Sequence, residues 1–93
     1  MKVVISDKFY KKLDQQVKYI AKDKSETAIK FRKSILLEVK KIPDRMWSYK
    51  QSEFFEDEKI RELIFKGYRI VFEIGEENIL IFGFHKWEND LNP

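Results

Sequence analysis

The sequence has no cysteine, which excludes a disulfide framework, a thiolate nucleophile and every thiolate-ligated zinc or iron–sulfur site. Glycine and proline are scarce, at three and two. The chain therefore has no phosphate-cradling glycine loop and no dinucleotide fingerprint, and no flexible interdomain linker is visible. His85 is the sole histidine, so no second imidazole can complete a metal pair, and no carboxylates stand at a convincing spacing around it. Long apolar runs are also missing. The opening segment meets charge after Val3, Val4 and Ile5, far short of a signal-peptide core or a membrane span. The expectation is a protein without cofactor or metal, without membrane contact, and compatible with a reducing cytoplasm.

What is present is enough for one core. The 93 residues are 43% hydrophobic and include fourteen aromatic side chains, which offsets a charged fraction of 38% that would otherwise suggest disorder. The length suits a single domain spanning 1–93, with 86–93 as a tail prone to fraying. The net charge of +3 conceals a polarity. Residues 1–50 carry fourteen Lys/Arg against six Asp/Glu, and residues 51–93 carry five against ten. The basic half either meets a polyanion or an acidic protein partner, or solvates the outer faces of two helices.

Hydrophobic periodicity orders the chain. A short apolar strand at 2–6 leads to Ser6 and Asp7, either of which can cap a helix whose buried stripe is Phe9, Leu13, Val17 and Ile20. After a polar break, Ser25 is a second capping candidate. Ala28, Phe31, Ile35, Val39 and Ile42 then recur every three or four residues until Pro43 ends the pattern. The spacing predicts helices over 7–22 and 25–42, joined as an antiparallel hairpin.

Beyond Pro43 the period changes. Residues 45–50 alternate, with Trp47 and Tyr49 on one side, as a short edge strand would. An acidic connection over 51–59 is interrupted by Phe54 and Phe55. Three β-rich runs follow at 60–65, 68–74 and 79–85, separated by Lys66-Gly67 and by residues 75–78, lengths that suit hairpins. In the last run Leu80, Phe82 and Phe84 alternate with Ile79, Ile81, Gly83 and His85, so both faces are apolar and the strand is expected to be central, beside the first. The sum is a two-layer α+β domain: an N-terminal strand, a helical hairpin, then an antiparallel meander in one twisted sheet. The hairpin covers one face, and no segment remains for the other.

The chemistry-bearing residues on the sheet are Arg61, Arg69 and His85, which antiparallel pairing can bring toward a common region, depending on register. A strand arginine is more often a surface or salt-bridged residue, with Glu62 or Glu73 as partner, and a lone strand-end histidine is more often a packing group. Trp47, Tyr49, Phe54, Phe55 and Trp87 fall outside the regular periods and are candidates either for the core or for a partner-binding surface.

Order and residues together resemble a known family. The run 60–74, with Arg61 and Gly67-Tyr68-Arg69-Ile70-Val71-Phe72, and the terminal apolar strand 79–85 ending in His85, are similar to the C-terminal half of the RelE/ParE family of type II toxins. Tyr19-Ile20-Ala21 and the close of the second helix at 37–43 fit the same pattern, which covers essentially the whole chain. The resemblance implies a growth-inhibiting protein, of a class linked to plasmid stabilisation, neutralised by a cognate acidic antitoxin encoded beside it. RelE-like members cleave mRNA in the ribosome, for which Arg69, His85 and Arg61 would be the catalytic set. ParE-like members inhibit DNA gyrase. The ribonuclease branch commonly carries a His/Tyr or Tyr pair beyond the last strand, where this chain has Lys86, Trp87 and Glu88. His85-Lys86 agrees with the ParE branch, toward which the resemblance leans; the competing class is a non-toxic protein-binding module with no antitoxin.

Overall fold

The computed structural model describes residues 1–86; residues 87–93 of the expected tail, with the candidate Trp87, lie outside them, whereas Lys86 is not frayed but pairs with Tyr68 at the end of the last strand. Strand β1 (Lys2–Ile5) is followed by helices α1 (Asp7–Ala21) and α2 (Ser25–Lys40), a 3-10 segment (Ile42–Ser48), and strands β2 (Lys50–Gln51), β3 (Ile60–Phe65), β4 (Tyr68–Ile74) and β5 (Asn78–Lys86). They form one sheet in the order β1-β5-β4-β3-β2, with β1 parallel to β5 and the other pairs antiparallel. The α+β architecture is the one expected, including the contact between first and last strands.

Local chemistry sets the boundaries. Ser6 caps α1, its hydroxyl oxygen accepting from the Phe9 N–H at 3.1 Å. Ser25 does not cap α2. It is already the first helical residue, and extended Lys24 holds the capping position without a side-chain bond. The helical stripes are as expected, with Phe9 and Leu13 on α1 and Ala28, Phe31, Ile35 and Val39 on α2 all buried. They meet the sheet through rings: Phe9 lies edge-on to Phe84 at 5.5 Å, Phe84 stacks on Tyr68 at 5.0 Å, and Phe31 abuts Tyr68 at 5.1 Å.

The expected edge strand over 45–50 is replaced by the 3-10 turns, leaving only Lys50–Gln51 extended against β3. Proline's fixed φ suits the opening of a helical turn, and Pro43 sits there. Tyr49 still reaches the core, edge-on to Phe72 at 5.5 Å. Between β3 and β4, Lys66 and Gly67 both take positive φ, 52° and 81°, the requirement of a two-residue type I′ hairpin turn. This turn fixes the register from Phe65↔Tyr68 through Ile64↔Arg69 to Glu62↔Val71.

Two departures matter for function. The register of β4 on β5 shifts between Val71 and Phe72: Val71 faces Gly83 whereas Phe72 faces Ile81, so Phe82 is the extra residue of a β-bulge. The bulge reverses the alternation of β5. Ile79, Ile81 and Phe84 share the helix-covered face, while Leu80, Gly83 and His85 share the other. The second departure is the face expected to lack a cover. The connection over 52–59 crosses it as a strap, placing the Phe54 ring 4.6 Å from the Arg69 guanidinium and Phe55 edge-on to Phe82 at 5.8 Å.

Candidate functional site

The face opposite the helices, from β4 across β5 to the exposed side of α1, forms a half-open cup of about 500 Å³. Arg69 and His85 are cross-strand partners on its floor. Lys8 and Lys12, one turn apart on α1, stand at its rim, and Phe54, Phe55 and Phe82 make its walls. Gly83 keeps the floor low. A Cβ there would come within 2.9 Å of the Val71 Cβ, closer than such atoms pack, so the approach of β5 to β4 needs glycine at this point.

Beneath the cup lies a buried acid. Glu62 is 2% exposed, with one carboxylate oxygen accepting from the Ser52 hydroxyl at 2.8 Å and the other 3.1 Å from Nε of Arg69. The Arg69 contact is an ion pair rather than a well-aligned hydrogen bond, so Oε1 and Nε attract as charges while neither gains a hydrogen-bond partner. Ser52 in turn accepts from the Phe54 N–H at 3.2 Å, which ties the strap to the acid. Glu53, at the start of the strap, is turned onto Lys50 at 2.6 Å.

His85 feels this surrounding. Partial burial lowers its pKa first, the positive charges of Lys12, Arg69 and Lys8 lower it further, and Glu62 opposes them. Its imidazole is held toward the neutral form at neutral pH, able to accept a proton, within a field that favours anions. Among the described residues no group of three or more His, Cys, Asp or Glu side chains could hold a metal ion.

The structure thus brings together two of the three sheet residues singled out in the sequence. Arg61 is not with them, because its partner in the ladder, Phe72, belongs to the helix-covered face. There it acts as a clamp, donating to the carbonyls of Glu58 at 2.7 Å and Tyr49 at 2.9 Å, with its guanidinium 5.1 Å from the Trp47 ring centre. Of the aromatic candidates, Tyr49 is half-buried and packs against the core, Trp47 is exposed beside Arg61, and Phe54 and Phe55 are exposed on the strap. Sequence reasoning missed Lys8, Lys12 and Phe82. A signal for the lysines was available in their four-residue spacing beside the buried stripe. For Phe82 the signal was indirect: Gly83 inside a strand pattern hints at a bulge, but among apolar neighbours it does not say which residue is the extra one.

A second concavity lies on the outer side of the hairpin. Val17, Ile29, Leu36 and Leu37 floor a groove of about 410 Å³ bordered by Arg32, Lys33 and Lys40. Ile29 and Leu37 are 66% and 54% exposed, a large apolar display for one helix face.

A type II toxin is the class that this fold and the sequence together define. The family model described as the ParE toxin of the type II toxin–antitoxin system parDE matches residues 3–88, and the chain belongs to that family. A chain of a solved structure, described as a chromosomal ParDE TA system from P. aeruginosa, superposes with a TM-score of 0.79 at 20% identity. The match covers 95% of this chain and 97% of that one, a likeness of fold. A search of curated proteins finds no match.

Proposed function

We propose that this chain is a growth-inhibiting toxin that acts in the cytoplasm on DNA gyrase and is neutralised by an acidic, amphipathic antitoxin segment. The observation carrying the choice of target is the state of Arg69. Both mechanistic branches share this arginine, but only RNA cleavage requires its charge to be free for a phosphate. Here the guanidinium is spent on buried Glu62 and lies against the Phe54 ring, which supports a positioning role in the sheet. The family match over residues 3–88 supports the same branch. Neutralisation is supported by the groove on the helical hairpin, whose apolar floor and basic border complement an acidic amphipathic helix.

One observation favours a second reading, ribosome-dependent mRNA cleavage: His85 is held toward its neutral form beside Lys8 and Lys12, as a general base would be. Induction of the chain in bacteria separates the two. Gyrase inhibition predicts loss of plasmid supercoiling and a DNA-damage response with mRNA intact, and the purified chain should block supercoiling by purified gyrase. Codon-phased cleavage of translated mRNA with normal supercoiling would overturn the gyrase reading. Harmless expression would sink both.

A further inference from the structure

The chain carries two exposed apolar surfaces of opposite charge, on opposite sides of the molecule. One is the hairpin groove, floored by Val17, Ile29, Leu36 and Leu37, with exposed Lys33 and Lys40 at its border. The other is the strap, where Phe54 and Phe55 stand between Glu53 and the run Glu56-Asp57-Glu58. Phe54 keeps 65% of its surface exposed and Phe55 41%, a large display for two neighbouring rings. Glu53 is held by Lys50, and Asp57 accepts from the Lys59 N–H at 2.9 Å. Glu56 and Glu58 are exposed, and neither joins an ion pair among the described residues. The strap is also ordered in advance. Ser52 accepts from the Phe54 N–H, the Phe54 ring lies against Arg69 and Phe55 rests edge-on against Phe82, so little freedom is left to lose on docking.

We propose that the strap of one copy of this chain docks in the hairpin groove of a second, so that the free protein self-associates head to tail. The groove fits an acidic segment with bulky apolar side chains, and the strap is such a segment. Its rings supply anchors for the floor at Ile29 and Leu37, while Glu56 and Glu58 answer the charges of Lys33 and Lys40. Docking within one chain is excluded, because the strap lies on the sheet face away from the helices and the groove on the outer side of the hairpin. For the same reason two copies cannot make both contacts with each other. Each addition leaves one strap and one groove open, and association continues past the pair. The strap has the acidic, amphipathic character proposed above for the antitoxin segment, so self-association covers the groove when no antitoxin is present. The contact itself depends on neither the antitoxin nor gyrase.

Sedimentation equilibrium of the purified chain reads the contact directly. The surfaces are small, so the association is weak: the mean mass should climb beyond two copies between about 10 μM and about 1 mM at low salt. It should fall back toward the monomer as salt is raised. Glu56→Lys with Glu58→Lys should weaken association at least about tenfold, and so should Lys33→Glu with Lys40→Glu. All four side chains are exposed, so circular dichroism and melting temperature should not change. An equimolar mixture of the two variants should regain the wild-type masses, because every strap then meets a groove of opposite charge on the other variant. Adding Ile29→Ser and Leu37→Ser to both variants alters no charge, and should abolish association of the mixture. The proposal is overturned by a wild-type chain that stays monomeric to about 1 mM, by a mass that stops at two copies, by charge-reversed variants that associate as the wild type does, or by a mixture whose association survives the serine changes.

Discussion

Glu62 concentrates the molecule's logic in one side chain. Burying a carboxylate costs several kcal/mol unless charge and hydrogen bonds compensate, and here the compensation comes from Arg69 on the neighbouring strand and Ser52 at the start of the strap. Since Ser52 also accepts from the Phe54 N–H, one acid anchors the strap, orients an aromatic wall and neutralises an arginine. Removing it alone leaves a buried guanidinium with nothing to balance it. Glu62→Ala is therefore expected to lower unfolding stability by about 3 kcal/mol in urea melts, whereas Glu62→Met combined with Arg69→Leu should recover most of that loss. Equal losses in both variants would mean that packing, not charge, dominates the site. The pairing was partly legible beforehand. Glu62 was a named partner candidate, and a two-residue turn at Lys66-Gly67 forces Glu62 and Arg69 onto one face by simple counting. The same counting sends Arg61 to the opposite face, so the uncertainty over Arg61 lay in leaving the register open.

At the level of elements, the helices and the meander were readable because their apolar periods are clean, and β5 was not. The segment Ile81-Phe82-Gly83-Phe84 is apolar at both parities, so alternation cannot locate an extra residue within it. A glycine inside a strand pattern was the available hint, and the structure gives it a cause in the close approach of Val71. Gly83→Ala is expected to cost about 1–3 kcal/mol of stability, the ordinary range for overpacking, because the added methyl meets Cβ and Cγ2 of Val71 at 2.9 and 3.1 Å. Trimming the neighbour should relieve it. In thermal or urea melts the double variant Gly83→Ala, Val71→Gly, which removes both contacting atoms, should lose clearly less than the sum of the single losses, the signature of two groups competing for one space. Additive losses would place the strain elsewhere. The strap was illegible for another reason: residues 52–59 have no period, and their position is set by long-range contacts of Ser52, Phe54 and Phe55 with strands that follow them in sequence.

Across the whole molecule, the charge polarity of the sequence becomes a division of surfaces. The basic half includes the helical hairpin, and its groove of Val17, Ile29, Leu36 and Leu37 is rimmed by cations, of which Arg32 is shared with Asp14 at 2.8 Å. In the proposed neutralisation, the exposed apolar side chains supply affinity for a partner helix while the surrounding lysines choose an acidic one and speed its encounter. Coexpression with the protein encoded beside this chain gives the test. Ile29→Asp with Leu37→Asp should abolish copurification and leave the chain toxic in the presence of its antitoxin. Because both side chains are exposed, the folded state should keep its melting temperature. Lys33→Glu with Lys40→Glu should retain the apolar contact but reverse the charge of the rim, slowing association and making the remaining binding stronger, not weaker, as salt rises. An antitoxin that still binds the Ile29/Leu37 variant with unchanged affinity would move its docking surface off the hairpin, leaving the strap aromatics Phe54 and Phe55 as the surface to test next.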